Sequence, residues 1–182
     1  KQFADDKSDF LSFVKLWNFV HERIEHKKSN KKLTDDLKSH FISPRRVREW
    51  KDVHAQLSQQ VVELGWRVNA SPATFEQVHT ALLTGLLGNV GFKTLDADYR
   101  EPFHVWPGSP LVKKAGKWLM AAELVETSRL FARCVAALDP AWIERVGAHL
   151  LKKSWSEPHW EKGAGQVVAF ERAALYGMTV YA

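Results

Sequence analysis

The apolar residues of this chain change their spacing once. Up to about residue 94 they recur every three or four positions, and beyond it they alternate. The first spacing lines one side of an α-helix and the second lines one face of a strand. The switch predicts an α+β chain in two domains: an all-α region over 1–94, then a β-rich region over 95–182.

In the first region a helix is expected over residues 8–28, capped by Ser8 or Asp9, with a stripe of Phe10, Phe13, Val14, Leu16, Trp17, Val20 and Ile24. A lysine-rich connection and a short helix from Thr34 to Phe41 follow. Ser43-Pro44 then opens a third helix that Gly65 closes, since serine caps, proline suits the first turn and glycine suits the exit. Within it Val47, Trp50, His54, Leu57, Val61 and Leu64 form a seam for packing on another helix. A fourth helix is expected from Ser71-Pro72 to Val90, ended by Gly91. These four helices predict a helical bundle.

In the second region Phe103 and Val105 read as a strand that leaves through Pro107-Gly108-Ser109-Pro110. Trp118, Met120, Ala122 and Leu124 alternate, as do Leu130, Ala132, Cys134 and Ala136, with a turn near Thr127-Ser128. Asp139-Pro140 has the form of a capped helix start, and the helix runs to about Leu150. Strands at Gln166–Tyr176 and Met178–Tyr181 complete five strands and one helix, the order of an OB-fold barrel.

Catalytic signatures are missing. The stretch GLLGNVGFKT, residues 85–94, places Leu87 and Phe92 where a phosphate-binding P-loop needs glycines, and helical spacing precedes it where the motif needs a strand. The eight histidines show no metal-ligand spacing, and the one cysteine, Cys134, excludes an intramolecular disulfide framework. Cys134 reads as a buried, inert thiol in a strand. No catalytic residue, metal or cofactor site is expected. No apolar run approaches the eighteen or so residues of a membrane helix, and the opening Lys1-Gln2-Phe3 lacks both a secretory core and a methionine, so an excised piece of a longer protein, not a membrane component, is expected.

Positive charge is concentrated. Between Arg23 and Lys51 ten basic residues face four acidic ones, an excess of six positive charges. Such a stretch suits either an anionic partner or a solvated helical face. Eight tryptophans are many for 182 residues, and exposed ones beside cations form stacking platforms for single-stranded bases. Trp17 and Trp50 lie in apolar stripes, which leaves Trp106 and Trp118, near Lys113, Lys114 and Lys117, as the better platform candidates.

Several segments in order resemble those of DEAH-box ATP-dependent RNA helicases. Phe103 to Leu111 is similar to their HPGS or HPSS segment, with Trp106 in place of a histidine, and Trp118 to Arg129 is similar to the strand after it. Asp139-Pro140-Ala141-Trp142 resembles their DP-x-W segment, and Ser156 to Trp160 resembles the SEPHW variant of the bacterial HrpA type. Ala81 to Gly91 and Arg45-x-x-Arg48-Glu49-Trp50 complete the resemblance. It implies a ratchet-like, helicase-associated helical bundle followed by an OB-fold, together closing an RNA channel against motor domains of the same chain that hold ATP and Mg. The expected partner is single-stranded RNA, with DNA as an alternative, in the cytoplasm. Arg45, Arg46 and Arg48 at the start of the third helix, and Lys113, Lys114, Lys117, Lys152 and Lys153 in the OB region, are the expected phosphate contacts. The alternative is a protein-interaction scaffold without nucleic-acid contact.

Overall fold

The computed structural model describes residues 2–93 and 103–181, in two compact units: Lys1–Asp5 with Phe10–Ala73, and Asp6–Asp9 with Thr74–Ala182. The expected boundary between residues 94 and 95 lies outside the described residues. Among those described, no helix is long and apolar enough to cross a membrane.

The first unit carries helices α1 (Asp9–Glu25), α2 (Asn30–Ser39) and α3 (Pro44–Glu63). Each contributes one residue, Val20, Leu37 and Val47, to a buried cluster that Leu16, Phe19, Ile24, Leu33 and Ile42 surround. The lysine-rich connection is shorter than expected. Ser29 caps α2 by accepting the Lys32 N–H at 3.2 Å, so Lys31 and Lys32, both good helix formers, enter its first turn. Ser43 caps α3 and Pro44 begins it, as expected. At the other end the Gly65 N–H bonds to the Val62 carbonyl and the Trp66 N–H to that of Val61, the Schellman pattern, with Gly65 at φ 71°. The expected seam is filled over its first half only. Trp50 and His54 pack on Trp17 at ring distances of 4.8 and 4.6 Å, whereas Leu57 and Leu64 stay exposed.

The second unit begins with α4 (Phe75–Leu86), capped by Thr74 and not by Ser71: Thr74 accepts the Gln77 N–H while Gln77 accepts the Thr74 N–H. The helix also ends earlier than expected. Leu87–Asn89 form a 3-10 turn, and Val90–Phe92 become strand β1. Gly91 is therefore not a helix terminus but lies in β1 opposite Leu119, where a Cβ would collide with the Phe103 ring. Strands β2 (His104–Val105), β3 (Trp118–Glu126) and β4 (Leu130–Ala137) join β1 in the order β1-β3-β4-β2. Leu111, Leu119, Ala121, Ala132 and Val135 form the core on this sheet. Ala132 and Val135 are three apart and would lie on opposite faces of a regular strand. Between them Cys134 adopts φ 53°, a left-handed conformation that breaks the alternation.

Helix α5 (Pro140–Gly147), capped by Asp139, leads to a second sheet of β5 (Leu151–Glu161), β6 (Gln166–Leu175) and β7 (Met178–Tyr181). The described residues thus hold seven strands in two sheets where five strands and a barrel were expected. The two unforeseen strands are β1, which continues a helical pattern, and β5, whose Pro158 argues against a strand. A bulge between Ser156 and His159, with Glu157 at φ 50°, accommodates that proline.

Asp6–Asp9, at the entry to α1, belong to this second unit. The Lys7 carbonyl accepts the Ala137 N–H at 2.8 Å, and Ser8 bridges Ala136. Asp9 is buried, and its two carboxylate oxygens accept from the Val135 N–H at 2.9 Å and the Ser109 hydroxyl at 3.0 Å. Ser8 Oγ lies 2.7 Å from His79 Nε2, and His79 Nδ1 donates to the Phe75 carbonyl at 2.6 Å, which in the neutral ring leaves Nε2 to accept from Ser8. Asp9→Ala would strand the Val135 N–H and the Ser109 hydroxyl. We expect it to lower the unfolding free energy by about 2–3 kcal/mol in urea titrations, the scale of bonds to a charged acceptor. A loss under about 0.5 kcal/mol would show that Asp9 does not anchor the unit.

Candidate nucleic-acid interface

The basic stretch of the first unit is largely solvated. Lys27, Lys28, Lys31, Lys32, Lys38 and Lys51 are exposed, whereas Arg23 is bound at 3.1 Å to Asp36 and lies over the Phe19 ring. Arg45 and Arg46, 83% and 82% exposed, both reach Glu49, at 3.0 and 2.9 Å. Arg48 is exposed and enters none of the ion pairs among the described residues. Three cations within the first turns of α3 oppose the helix dipole, whose N-terminal end favours anions. Glu49 offsets one of them. Exposed pairs of this kind contribute only about 0–1 kcal/mol, so a phosphate that approaches Arg45 and Arg46 competes on even terms with Glu49.

In the second unit Ser109 caps a 3-10 turn, Pro110–Val112, from which Lys113, Lys114 and Lys117 follow as exposed residues. Lys114 lies 3.4 Å from Asp6. Parallel pairing of β2 with β4 brings Trp106 beside Phe131, in an edge-on contact at 5.4 Å, and sets the Arg133 guanidinium 5.1 Å over the Trp106 ring. Trp106 is thus a partly exposed ring with its own cation. Trp118 is not a platform: it is buried and packs on Phe92 at 5.1 Å, because its strand is covered on both faces there. The exposed tryptophans that sequence reasoning missed are Trp66, just after α3, and Trp155 and Trp160 on β5.

Lys152 and Lys153 are neighbours on β5 and point to opposite faces. Lys152 is exposed. Lys153 lies 3.0 Å from Glu144 of α5 and 2.9 Å from Glu171 of β6, and Tyr181 of β7 donates to Glu144 at 3.0 Å. Hydrogen bonds to Glu171, Tyr181 and Glu144 hold the Lys153 ammonium well above the ordinary lysine range. Two carboxylates around one ammonium leave no surplus positive charge at this spot, so Lys153 joins elements of the unit before it can serve a phosphate.

The thiol of Cys134, half-buried, is pushed up to about 11 by burial first and then by Asp9 and Glu123, so it is protonated and inert at neutral pH. Among the described residues no cluster of His, Cys, Asp and Glu could hold a metal ion. A shallow groove of about 600 Å³ along α4 is lined by Thr74, Gln77, Thr80, Thr84 and Arg145, and Arg145 is already bonded at 2.8 Å to both Glu76 and Thr80.

Residues 78–150 match the family model described as the oligonucleotide/oligosaccharide-binding (OB)-fold. The chain is 46% identical over 191 residues to the ATP-dependent RNA helicase HrpA of Escherichia coli (strain K12), which covers 100% of the chain and 14% of that protein. The chain is a close homologue of one region of the HrpA-type ATP-dependent RNA helicases. The HrpA homolog of Haemophilus influenzae is 41% identical over 187 residues, with the same coverage of 100% and 14%. A plant relative, the pre-mRNA-splicing factor ATP-dependent RNA helicase DEAH10 of Arabidopsis thaliana, is 20% identical over 81% of the chain and 22% of its own length. The chain therefore spans 14% of the HrpA proteins it matches and carries their OB-fold region.

The cluster around Lys153 has a pH signature. Hydrogen bonds from Lys153 and then Tyr181 stabilise ionised Glu144 and lower its pKa. That contribution to stability is complete above the ordinary glutamate range and disappears as pH falls through the lower folded value. In an NMR titration of the Glu144 carboxyl, Lys153→Met is expected to raise the midpoint towards the ordinary range, with the Tyr181 hydrogen bond still holding it lower. An unchanged midpoint would contradict the cluster.

Proposed function

We propose that this chain is a non-catalytic accessory module of an ATP-dependent RNA helicase, which holds single-stranded RNA by its phosphates and regulates motor domains of the same polypeptide. ATP and Mg belong to those motor domains in this reading, the module takes no cofactor of its own, and the parent works in the cytoplasm. Helices α1–α3 form part of a ratchet-like bundle that precedes the OB-fold in the chain.

The observation that carries the reading is the arginine group at the start of α3 in a chain of HrpA-type kinship. Arg45, Arg46 and Arg48 are exposed, oppose their own helix dipole and share one glutamate, an arrangement that gains from an added anion. Lys113, Lys117 and Lys152 are exposed cations of the same kind, and Lys114 has only a long contact to Asp6. Lys153 contributes least, since Glu144 and Glu171 already hold it. Trp106 under Arg133 offers a base-stacking surface, with about 1–3 kcal/mol for a stacked base. Binding through phosphates has weak sequence preference and falls steeply with salt.

The second reading is a protein-docking scaffold in which the cations only solvate the surface. The internal pairing of Lys153 and Arg23 favours it, because both residues spend their charge within the fold. Fluorescence anisotropy with a labelled single-stranded RNA separates the two. Arg45→Glu with Arg48→Glu is expected to weaken binding at least tenfold at about 50 mM salt and to flatten the salt slope by roughly two. Unchanged binding in the double variant, or no binding by the wild-type chain at low salt, would support the scaffold.

A further inference from the structure

The second sheet leaves part of one strand edge unoccupied. β7 pairs with β6 only at Ala173, Ala174 and Leu175, so among the described residues Gln166–Arg172 has a partner strand on the β5 side alone. Open edges in stable proteins carry charges, prolines or bulges that repel further strands. The outer edge of β5 follows this rule with Lys152, Lys153, Pro158 and the bulge at Ser156–His159. The open run of β6 begins Gln166-Val167-Val168-Ala169-Phe170, without a charge or a proline and rich in strand-forming residues.

The face beside this edge also exposes apolar side chains. Trp155 pairs with Glu171 and Trp160 with Val167, which puts Trp155, Trp160 and Val167 on the face whose other end, Ala173 and Leu175, is core. The three are 65%, 60% and 65% exposed. Beyond the Lys153–Glu171 ion pair, which lies on this same face, the sheet therefore carries an exposed apolar patch. From Leu151 to Leu175 the hairpin holds four cations and three anions, in contrast to ten and four over Arg23–Lys51. Near-neutral charge with apolar rings and an open amide edge suits a polypeptide better than a nucleic acid.

We propose that Gln166–Arg172 and the apolar face beside it receive an extended segment from the remainder of the parent polypeptide, added to the sheet in line with β7. The site is distinct from the cations assigned above to RNA. β7 already lies on this edge, so a strand laid in its line meets the unpaired amides directly. The HrpA relatives supply the occupant's source, since the chain spans only 14% of their length.

Hydrogen exchange read by mass spectrometry tests this on residues 1–182 and on the full-length parent. The β6 amides of Gln166–Arg172 that face away from β5 are expected to exchange at least tenfold more slowly in the parent. Equal exchange in the two would overturn the proposal. Protection that rises with the concentration of the 182-residue chain alone would overturn it in favour of a second copy. Protection that requires an added single-stranded RNA oligonucleotide would overturn it in favour of nucleic acid.

Discussion

The carboxylate of Asp9 is the interaction on which the second unit most depends. The edge of β4 not used by β3 is divided between β2, at Phe131 and Ala132, and the segment Lys7–Asp9, at Val135–Ala137. Without that segment, one end of a strand carrying a left-handed Cys134 would face no partner on that side. A left-handed non-glycine residue costs of order 1–3 kcal/mol and persists only where its surroundings hold it. Asp9 does so by accepting the N–H of the next residue, Val135, and it fixes the turn before Lys113 by accepting the Ser109 hydroxyl. The same short segment thus orders the core sheet and the root of a candidate phosphate-binding loop.

Charge in this chain serves two ends, and geometry tells them apart. Arg23, Lys153 and Arg145 each meet at least one carboxylate at 3.1 Å or less and spend their charge on joining elements. Arg45 and Arg46 also meet a carboxylate, but they share it, stay solvated and sit where the helix field disfavours cations. Net charge alone would have counted all of these residues equally. The distinction matters because a phosphate gains little from an ammonium already flanked by two glutamates.

Much of the fold was legible in the sequence, and the remainder shows what local pattern misses. The caps at Ser43-Pro44 and Asp139-Pro140, the glycine exit at Gly65 and the β3–β4 hairpin all express short-range rules that hold wherever they occur. Val90 escaped because a helical apolar pattern continues through it, while its pairing with Met120 is set thirty residues away. β5 escaped because a proline within a strand is discouraging until the bulge that accommodates it is seen. Among the candidate site residues, sequence order brought Arg45, Arg46 and Arg48 together correctly on one turn. It could not foresee that Lys153 meets Glu144 and Glu171, that Trp118 is covered on both faces, or that Arg133 lies over Trp106, since each depends on partners from other elements.

The most direct test of the account is a photocrosslinking experiment on the full-length parent protein with single-stranded RNA carrying 4-thiouridine. The account predicts crosslinked peptides from the start of α3, around Arg45 to Arg48, and from the Lys113–Lys117 loop, with none from the β6 edge. Crosslinks confined to the rest of the parent protein, with none in residues 1–182, would contradict a role for this module on the RNA path.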